Sequence, residues 1–101
     1  MPYLLQVDFS YPGPFGDEMV EAFTETAESI NDEEGFILKV WTENEQTKEA
    51  GGIYLFDTKE DAENYLTMHT SRLIGFGISH VNSKIFKTND ALSTINHAPL
   101  I

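Results

Sequence analysis

Apolar and polar residues alternate from Tyr3 to Phe9, with Leu5, Val7 and Phe9 on one face and Gln6 and Asp8 on the other. That period of two predicts a strand with one buried side. The breaker-rich run Tyr11-Pro12-Gly13-Pro14-Phe15-Gly16 is a loop that neither helix nor strand absorbs. The period then lengthens. Met19, Phe23, Ala27 and Ile30 recur at helical spacing behind Asp17 and Glu18, whose carboxylates favour the positive end of a helix dipole, and Asn31 to Gly35 ends the segment. Two β-rich runs, Gly35 to Glu43 and Glu49 to Phe56, flank the turn-forming link Asn44 to Lys48 and predict a hairpin. The hairpin holds the single Trp of the chain, Trp41, and a Gly51-Gly52 pair inside a strand pattern. Glycines placed so mark a bulge or the close approach of another group. A second helix starts at Thr58, a residue suited to an N-cap with Asp61 three places on. Ala62, Tyr65, Leu66, His69 and Leu73 then fall in a sector about 100° wide, with His69 near its centre, and Gly75 stands where a C-cap is expected. Alternation returns from His80 to Lys87, with Val81, Ser83 and Ile85 opposed to Asn82, Lys84 and Phe86. Asn89 to Ile101 is a tail with a short helical turn around Ala91 to Ile95.

The order βαββαβ predicts an α+β, ferredoxin-like domain covering residues 1–101: one four-stranded antiparallel sheet with two helices on one face. A sheet wet on its other face would alternate cleanly. The second strand does not, since Phe36, Leu38 and Val40 on one side are opposed by Ile37 and Trp41 on the other. In the third strand Ile53 and Leu55 oppose Tyr54 and Phe56. Both faces are thus expected to be covered, one by the helices and the other by a second sheet. Two copies packed sheet to sheet would form a dimeric barrel.

Composition narrows the partners. The 101 residues carry a net charge of −11, which removes the cationic footprint that nucleic acid or an anionic membrane surface requires. Without Cys, the chain has no disulfide, thiolate chemistry or Cys-based metal site. The three His residues, at 69, 80 and 97, form no helical metal pair. No apolar run is long enough to span a membrane and no signal pattern opens the chain, so a soluble cytoplasmic protein is expected. The acidic runs, Asp32-Glu33-Glu34 and Glu60-Asp61 with Glu63, read as solvated faces.

Several stretches carry a family resemblance: Leu4-Leu5-Gln6, Gly13 to Asp17, Ala27 to Asn31, Lys39-Val40-Trp41-Thr42-Glu43 and Glu49 to Phe56. His69-Thr70, Arg72-Leu73, Leu92-Ser93 and Ile95-Asn96 extend it over essentially the whole chain. In these the sequence resembles the YdhR family of putative monooxygenases. The resemblance implies a dimeric α+β barrel, related to the antibiotic-biosynthesis monooxygenases, with a cavity between sheet and helices in each protomer. Relatives in that superfamily oxidise aromatic phenols or quinols with O₂ and no prosthetic group. Such chemistry needs a base, donors for the resulting anion and a dry apolar pocket. It needs no dinucleotide-binding glycines, and Gly75-Phe76-Gly77 lacks their spacing.

His69 is the candidate catalytic base or hydrogen-bond partner, the other reading being a buried structural His that holds Tyr65 or a carbonyl. Trp41 is a stacking wall for a planar substrate if its face meets the helices, and an interface residue if it does not. Tyr54 and Tyr65 are candidate substrate contacts, with core packing as the alternative for a strand Tyr. Gln6 and Asp8 either orient a ligand or face solvent, an inward Asp8 having a raised pKa. Arg72 either meets an anionic substrate or makes a surface ion pair. The haem-degrading members of the superfamily use a helix His as iron ligand. Here Trp41 lies on the second strand rather than the third, and the first strand offers Gln6 or Asp8 in place of Asn. The leading expectation is a cofactor-independent monooxygenase acting on a small aromatic phenol or quinol. A non-catalytic dimeric barrel that binds a small apolar molecule, or a dimer that serves only as an assembly unit, are the alternatives.

Overall fold

Leu5 and Val7, the inward positions of the first strand, are almost wholly buried and sit at the middle of the sheet. The computed structural model describes residues 2–100. Along the chain run β1 (Tyr3–Ser10), α1 (Asp17–Ile30), β2 (Phe36–Asn44), β3 (Glu49–Phe56), α2 (Lys59–Gly75), β4 (Val81–Lys87) and α3 (Asp90–Ile95). The strands form one antiparallel sheet in the order β2-β3-β1-β4, the ferredoxin-like arrangement expected from the element order.

Helices α1 and α2 cover one face. Ile30 of α1 and Ala62, Tyr65 and Leu73 of α2 bury against Leu5, Val7, Tyr54 and Phe56. Burying these side chains supplies about 1.5–3 kcal/mol each, offset by the conformational entropy lost on folding. Met19 of α1 closes a second cluster with Tyr11 and Ala50, against which Phe9, Phe15 and Phe23 pack.

The start of α2 is as its sequence predicts. The Thr58 hydroxyl accepts from the Asp61 backbone N–H at 3.0 Å. Thr58→Ala is expected to cost about 1 kcal/mol, read as a lower urea midpoint at unchanged slope. Its end differs. Gly75 lies within the last turn, and the left-handed residue is Gly77, with φ 93°. Ile78 donates to the Leu73 carbonyl and Gly77 to that of Ile74, each at 3.0 Å. This is a Schellman closure, completed by Ile78 packing against the core.

The second strand corrects a simple parity reading. Phe36 pairs with Phe56, but Leu38 pairs with Leu55, so a bulge intervenes at Ile37. Phe36 therefore shares the helix-covered face with Phe56, their rings 6.0 Å apart, instead of the face of Leu38 and Val40. Beyond the bulge, Lys39 pairs with Tyr54 and Trp41 with Gly52. Both consequently point to the helix side, because Tyr54 lies opposite Leu5. Neither α1 nor α2 covers the opposite face. Leu4, Leu38, Val40, Ile53 and Phe86 share it, with Val40 56% and Phe86 49% exposed. Among the described residues, no helix is long and apolar enough to cross a membrane.

Candidate active site

A cavity of about 350 Å³ opens between the helix-covered face of the sheet, α1, α2 and the loop after β1. One wall is aromatic: Phe23 of α1 lies 6.0 Å from Trp41 and 6.2 Å from Tyr11, ring centre to ring centre. Phe9, Met19, Leu73, Phe76 and Ile78 complete the apolar lining. The volume is at the small end of ordinary ligand pockets.

Its polar end is built from β2, β3 and α2. The Lys39 ammonium sits 3.4 Å from the centre of the Trp41 ring and 4.6 Å from that of Tyr54, held by cation–π attraction. Gly52 makes the room: a Cβ there would come within 2.6 Å of Lys39 Cε. Burial, and then the nearby Arg72 charge, lower the Lys39 pKa to about 7. An amine at that value is half neutral near physiological pH.

Arg72 points inward and, among the described residues, makes no surface ion pair. Its Nη2 donates to His69 Nδ1 at 2.9 Å and to the Tyr65 hydroxyl at 3.3 Å. Arginine has no lone pair to offer, so His69 Nδ1 must accept. The His69 proton therefore resides on Nε2, which faces the Tyr54 hydroxyl at 3.4 Å. Burial first, then the charges of Arg72 and Lys39, lower the His69 pKa to about 3. His69 is thus a neutral imidazole presenting an N–H, with its lone pair already taken. Burial raises the Tyr54 and Tyr65 pKa values, so both phenols stay protonated.

Of the residues singled out from sequence, Trp41, Tyr54 and His69 come together on this cavity. Tyr65 stands behind them, stacked on His69 at 5.2 Å and 23° and against Tyr54 at 5.0 Å. Gln6 and Asp8 are not brought to it. They alternate with Leu5 and Val7, so they project from the open face, where Asn82 donates to the Asp8 carboxylate at 3.1 Å. Lys39 and Tyr11 line the cavity without having been selected, and Arg72, weighed between an anionic substrate and a surface ion pair, lines it too. For Lys39 a signal existed, since it lies two positions from Trp41, on the same strand face. Arg72 was hidden by the acidity of the chain, which makes a surface pair the cheaper guess.

No curated protein matches this chain. The family model described as Putative mono-oxygenase ydhR matches residues 4–99, a span that contains every element from β1 to α3 except the first residue of β1. The chain belongs to the ydhR family of putative mono-oxygenases.

Proposed function

We propose that this protein is a cofactor-independent monooxygenase that oxidises a small aromatic phenol or quinol with O₂ in the cavity beside Trp41. The observation that carries the reading is the juxtaposition of a half-neutral amine, Lys39, with an aromatic wall and a fixed guanidinium. The substrate ring stacks on Trp41 and Phe23. Its acidic O–H gives its proton to the Lys39 amine, and the phenolate so formed lies between the new ammonium and Arg72. The apolar lining keeps water from the anion while it passes an electron to O₂. Recombination of the radical pair at a ring CH₂ or CH carbon and loss of water leave a carbonyl. One oxygen atom enters the product, and the other leaves as water with two substrate hydrogens.

His69 contributes a donor in this scheme. With Nδ1 held by Arg72, its Nε2–H is free to turn from Tyr54 to a developing oxyanion. The proton-accepting role first considered for His69 passes to Lys39. The same occupied lone pair argues against His69 as an iron ligand. Dimerisation through the open, apolar sheet face fits the reading and leaves the cavity on the helix side undisturbed.

The test is oxygen uptake by metal-free protein with quinols, anthrones and catechols, run beside His69→Ala. Turnover in the variant is expected to fall about 10²-fold, the effect of losing one oxyanion donor, with affinity changed only a few-fold. Saturable binding without uptake above the spontaneous rate would instead make the protein a binder of such compounds.

A further inference from the structure

Lys39 is the lysine that the fold draws inside. Lys48, Lys59, Lys84 and Lys87 are exposed, whereas Lys39 is half-buried. It borders two hollows, the cavity and a second one between α1 and β2. Tyr54 borders the first and not the second. The Lys39 nitrogen lies 4.6 Å from the centre of the Tyr54 ring, so it stands on the cavity side. Among the described residues that nitrogen has no hydrogen-bond or ion-pair partner, yet it is not a buried unpaired atom of the kind that the Tyr11 hydroxyl is. It therefore keeps accessible surface, and no neighbour among those residues takes its lone pair when the amine is neutral.

The surroundings suit a nucleophile better than a counter-ion. None of the residues lining the cavity is Asp or Glu, and the charged group that shares the space is another cation, Arg72. An amine desolvated in an apolar pocket, or set beside a second cation, is activated toward a carbonyl carbon, and Lys39 has both conditions. Burial and then the Arg72 charge keep it half neutral near pH 7. Trp41, whose ring centre lies 3.4 Å from the nitrogen, offers a flat face to an aryl group bonded there. The apolar lining disfavours the water that imine formation releases and that hydrolysis would need.

We propose that Lys39 is a carbonyl-capturing site that binds aromatic aldehydes as an imine inside the cavity. Its Nζ attacks the carbonyl carbon, and the carbinolamine so formed loses water. A C=N bond replaces C=O, the carbonyl oxygen leaves with the two amine hydrogens, and no oxidant or reductant is consumed. This activity goes beyond the oxygen chemistry, sharing its amine but not its need for O₂. An aldehyde so held occupies the proposed base and competes with any phenol oxidised there.

The probe is naphthaldehyde, equilibrated with the native protein near pH 7 and quenched with sodium borohydride, which reduces the imine to a stable secondary amine. Peptide mapping by mass spectrometry then locates the label. Lys39 should be half-labelled at an aldehyde concentration on the order of 10²-fold below that required by Nα-acetyl-lysine, since a free lysine is almost wholly protonated at this pH. Propanal, referred to the same standard, should gain about 3- to 10-fold less, because it cannot stack on Trp41. Labelling of Lys39 no more readily than Nα-acetyl-lysine would overturn the capture site, and an equal gain for propanal would overturn the aromatic class. Labelling of Lys39 in a protein that takes up no oxygen with any phenol would uphold the capture site and remove the monooxygenase. Oxygen uptake without labelling would do the reverse.

Discussion

Lys39→Met should reduce oxygen uptake by about 10²–10⁴-fold while the protein remains folded, because it removes the base and keeps the stem that packs on Trp41 and Tyr54. The pH profile separates this from a packing defect. In the native protein kcat/KM should rise with pH through about 7, as the Lys39 amine loses its proton, and then level. The residual activity of the variant should lack that inflection and follow only the ionisation of the phenol. Stability gives an independent reading of the same group. A lysine whose pKa is depressed on folding binds fewer protons in the native than in the unfolded chain between its two pKa values. Stability must therefore rise with pH from about 7 toward the ordinary lysine value, and the cost of the buried charge is fully present below that window. Urea denaturation of Lys39→Met across this range should show a flatter dependence. An unchanged inflection in the activity of the variant would remove Lys39 from the chemistry.

Gly51→Ala is the substitution expected to harm the fold most. Gly51 is buried in β3 opposite Asp8 of β1, and a Cβ there would be driven into the Val7 backbone carbonyl. A flexible side chain could yield, but a carbonyl in the middle of the sheet cannot do so without parting β1 from β3. A loss of roughly 3 kcal/mol or more is expected, at the upper end of overpacking effects. For a domain of this size that lowers Tm by about 12–24 °C. Calorimetry decides it, and a Tm within a few degrees of the native value would show that the sheet relaxes there. Gly52, next along the strand, faces the cavity side, where an added methyl group would meet the Lys39 stem instead. The adjacent glycines thus protect different things, one the sheet and the other the seat of the amine.

Much of this architecture was legible in the residues. The periods of two and of about 3.6, the Thr58 cap and the turn-forming link between β2 and β3 lead directly to the element order, and the order to the sheet. Two features were not. The bulge at Ile37 leaves no mark in an uninterrupted apolar run, since Phe, Ile and Leu suit either face. The closing turn of α2 offered two glycines, Gly75 and Gly77, and backbone geometry rather than composition chose the second. The site was legible in part. Trp41, Tyr54 and His69 were found as types suited to aromatic chemistry, yet the tautomer of His69 depends on a guanidinium three residues away. Lys39 was passed over because a lysine in a strand is ordinarily solvated. Its burial on Trp41 follows from a shape that only the folded β2–β3 pair creates.

The bulge in β2 divides that strand into two halves that answer to different demands. Before it, Phe36 is committed to the packed interior with Phe56. After it, Lys39 and Trp41 face a space that can be reshaped without disturbing that interior. One extra residue lets both halves turn inward although the positions are of opposite parity. A lineage could therefore exchange the residues at 39 and 41 to suit new ligands while the anchoring half stays unchanged. Deleting Ile37 would leave Phe36, Lys39 and Trp41 all inward, because Phe36 and Leu38 already pair with the neighbouring residues Phe56 and Leu55. It would, however, remove the slack between the two halves, so that a change meant for the pocket would be felt by the core.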